Sequence, residues 1–301
     1  MVDLYLITGF LGAGKTTFIQ NILSNFKNDK VALVINEFAD KSIDGTIFSE
    51  KNITLKEINN GSILCQCKAD TFIKSLVYLK EKGMNTIIIE GSGLIDPSGM
   101  TKIMEVLNNI SSNSFNHKST ICLVDCKNFY DALDSFKLVE NQLIYSNLII
   151  LNKIDLVIPE EIEEIKNTIR EFNKTAHIYT TTFAKLDNLT ILLDNYSDTD
   201  SSKLRNLTKI LGASYLKIAC EFSNLEKFQD WFNIWLNKTY RVKGFVKINH
   251  KIYSFNSTFK DYTLIPEDTV KENLLVIIFS NNDSIKNEIL NSYEKIKSNS
   301  K

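Results

Sequence analysis

The 301-residue chain has almost no net charge, no long apolar run, and few arginines and histidines. Lys+Arg 35 against Asp+Glu 36 leaves a formal net charge of -1, so no global field exists to gather the phosphates of a nucleic acid, and polyanion binding is not expected. No apolar run approaches the roughly 20 residues that span a bilayer, which argues against a membrane protein. The opening "MVDLYLITGF" is short, carries Asp3 and leads directly into a glycine loop, so it reads as a strand rather than a signal peptide. Five cysteines, an odd number at irregular spacing, do not make a disulfide framework and fit reduced thiols in the cytoplasm. The histidines, His117, His177 and His250, form no metal-collecting tract, which argues against a storage role.

What is present is the composition of a globular protein, 44% hydrophobic and 24% charged, long enough for two domains. Short apolar runs recur with helix-length segments between them: "LYLIT" (4–8), "VALVI" (31–35), "NTIIIE" (85–90), "TICLVD" (120–125), "NLIILN" (147–152) and "AHIYTT" (176–181). Continuous apolar strands spaced in this way predict a parallel sheet covered on both faces. The text turns polar around 191–212, which is expected to be a connector between a first domain, 1–190, and a second, 213–301. The second reads as a small α+β domain: a strand "SYLKIACEF", a helix "NLEKFQDWFNIWLN", strands "RVKGFVKI", "KIYSF" and "NLLVIIFS", and a closing helix. Leu225, Phe228, Phe232, Trp235 and Leu236 recur at helical spacing and are expected to pack in its core. Cys122, Cys126 and Cys220 lie in or beside apolar strands and are expected to be buried small hydrophobes.

Residues 9–17, "GFLGAGKTT", match G-x-x-x-x-G-K-[ST] at every fixed position, after a strand and before a helix. Gly9, Gly12 and Gly14, with Ala13 between, let backbone N–H groups turn inward around phosphate oxygens. Lys15 reaches the β- and γ-phosphates, Thr16 offers its hydroxyl to Mg²⁺, and Thr17 continues the helix N-terminus that faces the anion. A second carboxylate is needed near the Mg²⁺, and Glu90 stands at the end of "TIIIE", with Gly93 three positions on to feel the γ-phosphate. "NKID", Asn152-Lys153-Ile154-Asp155, follows the strand "NLIIL". Asp155 would accept from the guanine ring N–H and amino group, the Lys153 stem would cover the base, and Asn152 would tie the loop together. That pattern selects GTP over ATP and speaks against a kinase. "TTTFAK" at 180–185 is a candidate second base-contacting loop. Together these features predict an α/β P-loop NTPase with a mostly parallel sheet and a small α+β C-terminal domain.

With these segments in place, the chain resembles the CobW-type branch of the SIMIBI-class P-loop GTPases, relatives of the nickel-enzyme maturation GTPases HypB and UreG. The resemblance is carried by "GFLGAGKTT", "INEFADKSIDG" (35–45), "NGSILCQCKAD" (60–70), "IIIEGSGLIDP" (87–97), "NKIDLV" (152–157) and "RVKGFV" (241–246). It implies GTP binding and slow hydrolysis coupled to handling of a transition metal such as zinc or cobalt. It also implies a first switch from Asn36-Glu37-Phe38 through Asp44 and a second from Glu90 to Pro97. Family members carry Cys-x-Cys-Cys where this chain has Ser62-Ile63-Leu64-Cys65, with Cys67 two places on. A Cys65/Cys67 pair still suits a borderline divalent ion if Glu37 and Asp40 complete the shell; the alternative is a pair of ordinary reduced thiols.

Two further absences bear on rate. Leu94 follows Gly93 where a water-orienting Gln would stand, and the arginines, Arg170, Arg205 and Arg241, leave both switches without an arginine finger. Slow intrinsic turnover is expected, with a partner or a GTP-dependent homodimer contact setting the pace. Two readings follow, each with a client metalloprotein or cofactor-assembly enzyme as partner: a metallochaperone that delivers or inserts Zn²⁺ or Co²⁺, or a GTP-dependent assembly or reactivation factor for a metalloenzyme, the factor itself carrying no metal.

Overall fold

The computed structural model describes residues 1–23, 26, 30–36, 54–58, 69–186, 213–236, 238–258, 261–267, 273–280 and 283–298. The chain divides into two compact units, Met1–Ile210 and Leu211–Lys301. The connector expected at 191–212 lies outside the described residues.

The first unit is a seven-stranded sheet in the order β3-β2-β4-β1-β5-β6-β7. Its strands are β1 (Val2–Thr8), β2 (Val31–Asn36), β3 (Thr54–Ile58), β4 (Thr86–Glu90), β5 (Phe115–Asp125), β6 (Leu148–Asn152) and β7 (His177–Thr180). Every pairing is parallel. The helices are α1 (Lys15–Leu23), α2 (Ala69–Glu81), α3 (Met100–Ile110), α4 (Phe129–Ser135), α5 (Lys137–Ile144) and α6 (Pro159–Phe172). Side chains alternate across the pleat, so β1 feeds two cores at once. Leu4 and Leu6 pack with Phe72, Leu76 and Leu79 of α2 and Ile103 and Leu107 of α3. Tyr5 and Ile7 pack with Phe18, Ile19 and Ile22 of α1 on the other face. A third cluster, including Val124, Ile149, Leu151, Ile165 and Ile169, seats α6 on β5 and β6. Each fully buried Leu, Ile or Phe contributes about 1.5–3 kcal/mol relative to exposure, and two covered faces explain why these strands read as unbroken apolar runs.

Two differences from the sequence reading have simple causes. β3, "TLKEI", mixes Lys56 and Glu57 into its run, so no continuous apolar signal marks this edge strand. β5 begins at Phe115 rather than Thr120, because pairing with β1 continues through a register shift between Leu4 and Tyr5 into "FNHKS".

The second unit is an antiparallel sheet, β12-β11-β10-β13-β8, with β9 pairing parallel to β10. Its elements are β8 (Ala213–Ile218), β9 (Glu221–Phe222), α7 (Leu225–Trp235), β10 (Thr239–Ile248), β11 (Lys251–Thr258), β12 (Asp261–Pro266), β13 (Leu274–Ser280) and α8 (Asp283–Ser298). Phe228, Phe232 and Trp235 are buried as expected, but Leu225 is 45% exposed and Trp231 takes the buried position instead. Leu225 is the first residue of α7, just after the Asn224 cap whose side chain accepts from Lys227 N–H, and the core stripe starts one turn later. Trp231 also donates its Nε1–H to Ser292 Oγ at 2.9 Å, joining α7 to α8. Among the described residues, no helix is long and apolar enough to cross a membrane.

One buried side chain sets the position of β6. Asn173, fully buried after α6, donates from Nδ2 to the carbonyls of Leu143 (2.8 Å), Ile144 (3.2 Å) and Ser146 (2.8 Å). Its Oδ1 accepts from the N–H groups of Thr175 (3.1 Å) and Ala176 (2.9 Å). The amide therefore staples the end of α5 to the turn that enters β7. Asn173→Ala leaves several buried groups unpaired at once. It should destabilise the chain by about 3 kcal/mol, read as a lowered urea midpoint.

Candidate functional site

The sheet's carboxyl edge gathers the candidate residues, because the register aligns the strand ends: Ile7 pairs with Glu90, Thr8 with Cys122, and Asp125 with Asn152. In an open parallel sheet this edge, with its βα loops and helix N-termini, is where ligands bind.

The loop after β1 wraps residues 9–14 into a turn that opens α1, with Gly9, Gly12 and Gly14 all at positive φ. Gly14 shows why: at φ +103 its Cβ would lie 2.5 Å from Asn152 Nδ2. Lys15 is 7% exposed, and its Nζ donates to the carbonyls of Gly9 at 2.9 Å and Phe10 at 3.2 Å, holding the ammonium over the loop. Thr16 Oγ1 donates to Glu90 Oε1 at 2.7 Å, and Glu90 is buried. The hydroxyl and carboxylate side by side are hard oxygen donors of the kind Mg²⁺ takes. Thr17 stands exposed on the first turn of α1. Gly93 is packed onto the same loop; a Cβ there would meet Leu11 Cδ2 at 2.3 Å and Leu11 Cα at 2.9 Å.

The second half of the site is built at the end of β6. Asn152, 3% exposed, donates from Nδ2 to Ala13 O at 2.9 Å and accepts at Oδ1 from Ala184 N–H at 2.9 Å. Lys153 then takes a left-handed conformation, φ +63, which costs a non-glycine residue on the order of 1–2 kcal/mol. The turn leaves Asn152 directed inward and Asp155, in the short 3₁₀ turn Ile154–Leu156, exposed. Lys153 Nζ is held at 2.6 Å from Asp125 Oδ2. Asp125, at the end of β5, also accepts from Asn128 Nδ2 at 3.0 Å and Lys127 N–H at 3.1 Å. Residues 180–185 sit beside this turn: Asn21 Nδ2 of α1 donates to Phe183 O and Ala184 O, both at 3.0 Å.

Glu37, Asp40, Cys65 and Cys67 lie outside the described residues. Among the described residues no group of three or more His, Cys, Asp or Glu side chains is placed to hold a metal ion. Cys122, Cys126 and Cys220 are free and buried, as expected. Burial pushes the Cys122 thiol up to about 12 despite the nearby Lys15 charge, and burial with the Asp125 charge raises Cys126 to about 12. Burial raises Cys220 as well. None is a thiolate at neutral pH. Sequence reasoning missed Asp125, although "LVD" ends a strand in the same way that "IIE" does, and it missed the amides of α5 described below.

The model of the CobW/HypB/UreG nucleotide-binding domain matches residues 3–180, from within β1 to the end of β7. The chain belongs to this family. Among curated relatives of this CobW/HypB/UreG member, the zinc-regulated GTPase metalloprotein activator 1 of Schizosaccharomyces pombe is 30% identical over 217 residues, covering 67% of this chain and 52% of that protein. The zinc chaperone YjiA of Escherichia coli is 28% identical over 187 residues, covering 60% of this chain and 58% of that one. The chain thus spans about half the length of the curated relatives it matches. The crystal structure of Zn(II)-bound YjiA GTPase from E. coli aligns over 98% of both chains with a TM-score of 0.50 at 19% identity, a likeness of fold. The P-loop NTPase fold expected from the sequence is the one found, with a separate antiparallel-sheet unit after it.

The three buried thiols carry a pH consequence. Their folded pKa values lie above those of the unfolded chain, so the stability they contribute is present below about pH 9 and is lost as pH rises toward about 12. At pH 8 a thiol reagent such as Ellman's should titrate no more than two of the five cysteines in the native protein and all of them in guanidinium. A third native thiol reacting at the rate of free cysteine would contradict the burial.

Proposed function

We propose that the chain is a GTP-binding and slowly GTP-hydrolysing switch that handles a divalent transition metal, zinc or cobalt, for a client metalloprotein in the cytoplasm. The observation that carries the reading is the convergence at one sheet edge of Thr16 and the buried Glu90, 2.7 Å apart, with an Asn152 turn that leaves the Asp155 carboxylate exposed. Lys15 would bind the β- and γ-phosphates, the N–H groups of Gly9 to Thr17 would line the anion, and Thr16 and Glu90 would hold Mg²⁺, whose part is to neutralise developing phosphate charge. Asp155 would accept from guanine, the Lys153 stem would lie on the base, and Gly93 would meet the γ-phosphate. Leu94 offers no group to orient water, so turnover should stay low until a partner or a second copy acts. The names of the zinc-associated relatives support a metal as cargo, with Cys65, Cys67, Glu37 and Asp40 its candidate ligands on this chain. Ser62 and Leu64, in place of two family cysteines, favour a second reading: a GTP-dependent assembly factor that carries no metal.

Asp155→Asn exchanges an acceptor for a donor and should weaken GTP by roughly 2–4 kcal/mol while xanthosine triphosphate gains. Calorimetry checks it, and equal wild-type affinity for ATP and GTP would refute the base assignment. The metal reading is tested by titrating Zn²⁺ and Co²⁺ with GDP or a non-hydrolysable GTP analogue at fixed Mg²⁺. Linkage makes the coupling reciprocal and of the order of 1–3 kcal/mol. It should vanish in Cys65→Ser/Cys67→Ser; coupling that persists there, or is absent in wild type, leaves the assembly-factor reading ahead.

A further inference from the structure

The segment after Glu90 is gripped from its far side by two amides of α5. Gln142, 1% exposed, spends both Nε2 hydrogens on this segment, donating to Gly93 O at 3.3 Å and Ile95 O at 3.0 Å. Its neighbour Asn141 donates from Nδ2 to Asp96 Oδ2 at 3.0 Å. Residues 92–95 close a turn, with Ile95 N–H donating to Ser92 O at 3.0 Å. The opposite side of that turn is Gly93 packed against Leu11 of the phosphate loop. The helix is fixed to the same loop, since Phe136, just before α5, packs against Phe10 with the rings tilted by 32° and centroids 4.7 Å apart. The turn is therefore clamped between the phosphate loop and α5, and Phe136 at the N-cap of α5 joins the two.

The clamp is also incomplete. Gln142 Oε1, Asn141 Oδ1 and Ser92 Oγ are buried and have no hydrogen-bond partner among the described residues. Buried polar atoms are normally paired, and three unpaired ones around a single turn are out of proportion. A fully satisfied network would be rigid. Among the described residues this one holds the turn through the donors of Gln142 and Asn141, and the oxygens of the same amides can accept an N–H that a displaced turn presents.

We infer that Gln142 and Asn141 are positioning residues that dock the 92–95 turn on the phosphate loop, and so set how strongly the protein prefers a nucleoside triphosphate over the diphosphate. This rests on the reading of the site as a nucleotide switch. With the turn already docked, a γ-phosphate meets Gly93 without first ordering it; with the latch cut, triphosphate binding must order the turn itself, while a diphosphate, which does not reach it, is indifferent.

The test compares GDP and a non-hydrolysable GTP analogue, at fixed Mg²⁺, on the full chain. Gln142→Met keeps the side-chain volume and removes both donors. It should weaken the analogue about ten-fold and leave GDP within about two-fold, with faster hydrogen exchange confined to the 92–97 amides. A purely structural role would move both nucleotides together, so equal losses, or an unchanged ratio, overturn the latch. If Gln142→Met does not fold, Asn141→Ala, which removes only the bond to Asp96, decides by the same ratio: a smaller triphosphate-selective loss supports the latch, and an unchanged ratio overturns it. Should wild type prefer adenine nucleotides, the guanine assignment falls by itself, and ADP against an ATP analogue decides the latch in the same way.

Discussion

The site depends on one side-chain amide, that of Asn152, whose two ends bind the phosphate loop at Ala13 and the loop after β7 at Ala184. The requirement propagates in both directions. Gly14 must lack a Cβ because one would lie 2.5 Å from Asn152 Nδ2. Lys153 must accept a left-handed backbone so that the chain can leave Asn152 inside and carry Asp155 out. The strain at Lys153, on the order of 1–2 kcal/mol, is offset by two buried hydrogen bonds at about 0.5–1.5 kcal/mol each and by the ion pair to Asp125. Asn173, from the neighbouring turn, then holds the approach to β6 so that Asn152 arrives in place.

The two units are stabilised by different means. In the first, a parallel sheet buried on both faces supplies the apolar energy, and its polar strand ends are paired through the amide of Asn152 and the carboxylates of Glu90 and Asp125. In the second, aromatic packing dominates: Phe255 meets Phe228 at 5.0 Å and Phe232 at 4.7 Å, edge to face, and Phe222 meets Tyr293 at 5.6 Å. Such pairs add about 0.5–1.5 kcal/mol beyond area burial, which suits a sheet of five main strands with two helices.

The parts of this architecture legible in the sequence were those that repeat a pattern over several residues. β1, β2, β4 and β6 are unbroken apolar runs, and each matched a strand found in the fold. The edge strands β3 and β12 were missed because an edge position tolerates Lys56 and Glu57, or Asp261 and Thr263, and gives no run to detect. The glycine loop was legible because its G-x-x-x-x-G-K-[ST] spacing is fixed and local. Asp125, Asn141, Gln142 and Asn173 were not, since each works by meeting a distant carbonyl or amine: Gln142 and Gly93 are 49 residues apart, and Asn173 and Leu143 are 30. No short-range spacing announces such a partner.

That the buried polar contacts around the 92–96 segment are made by neutral amides and not by ion pairs decides what the segment can do. Breaking a buried ion pair strands a charge and costs about 3–5 kcal/mol, more than the 1–3 kcal/mol by which one ligand typically shifts the binding of another. Moving an amide off a carbonyl costs about 1–3 kcal/mol even if nothing replaces it. Charges are placed instead where they are to stay, at Lys15 over the phosphate loop and at Asp125 beneath Lys153. The phosphate loop and the Asn152 turn thus combine buried amide bonds with charged contacts, whereas α5 ties the 92–96 segment through the amides of Asn141 and Gln142, the contacts that the proposed γ-phosphate would bias.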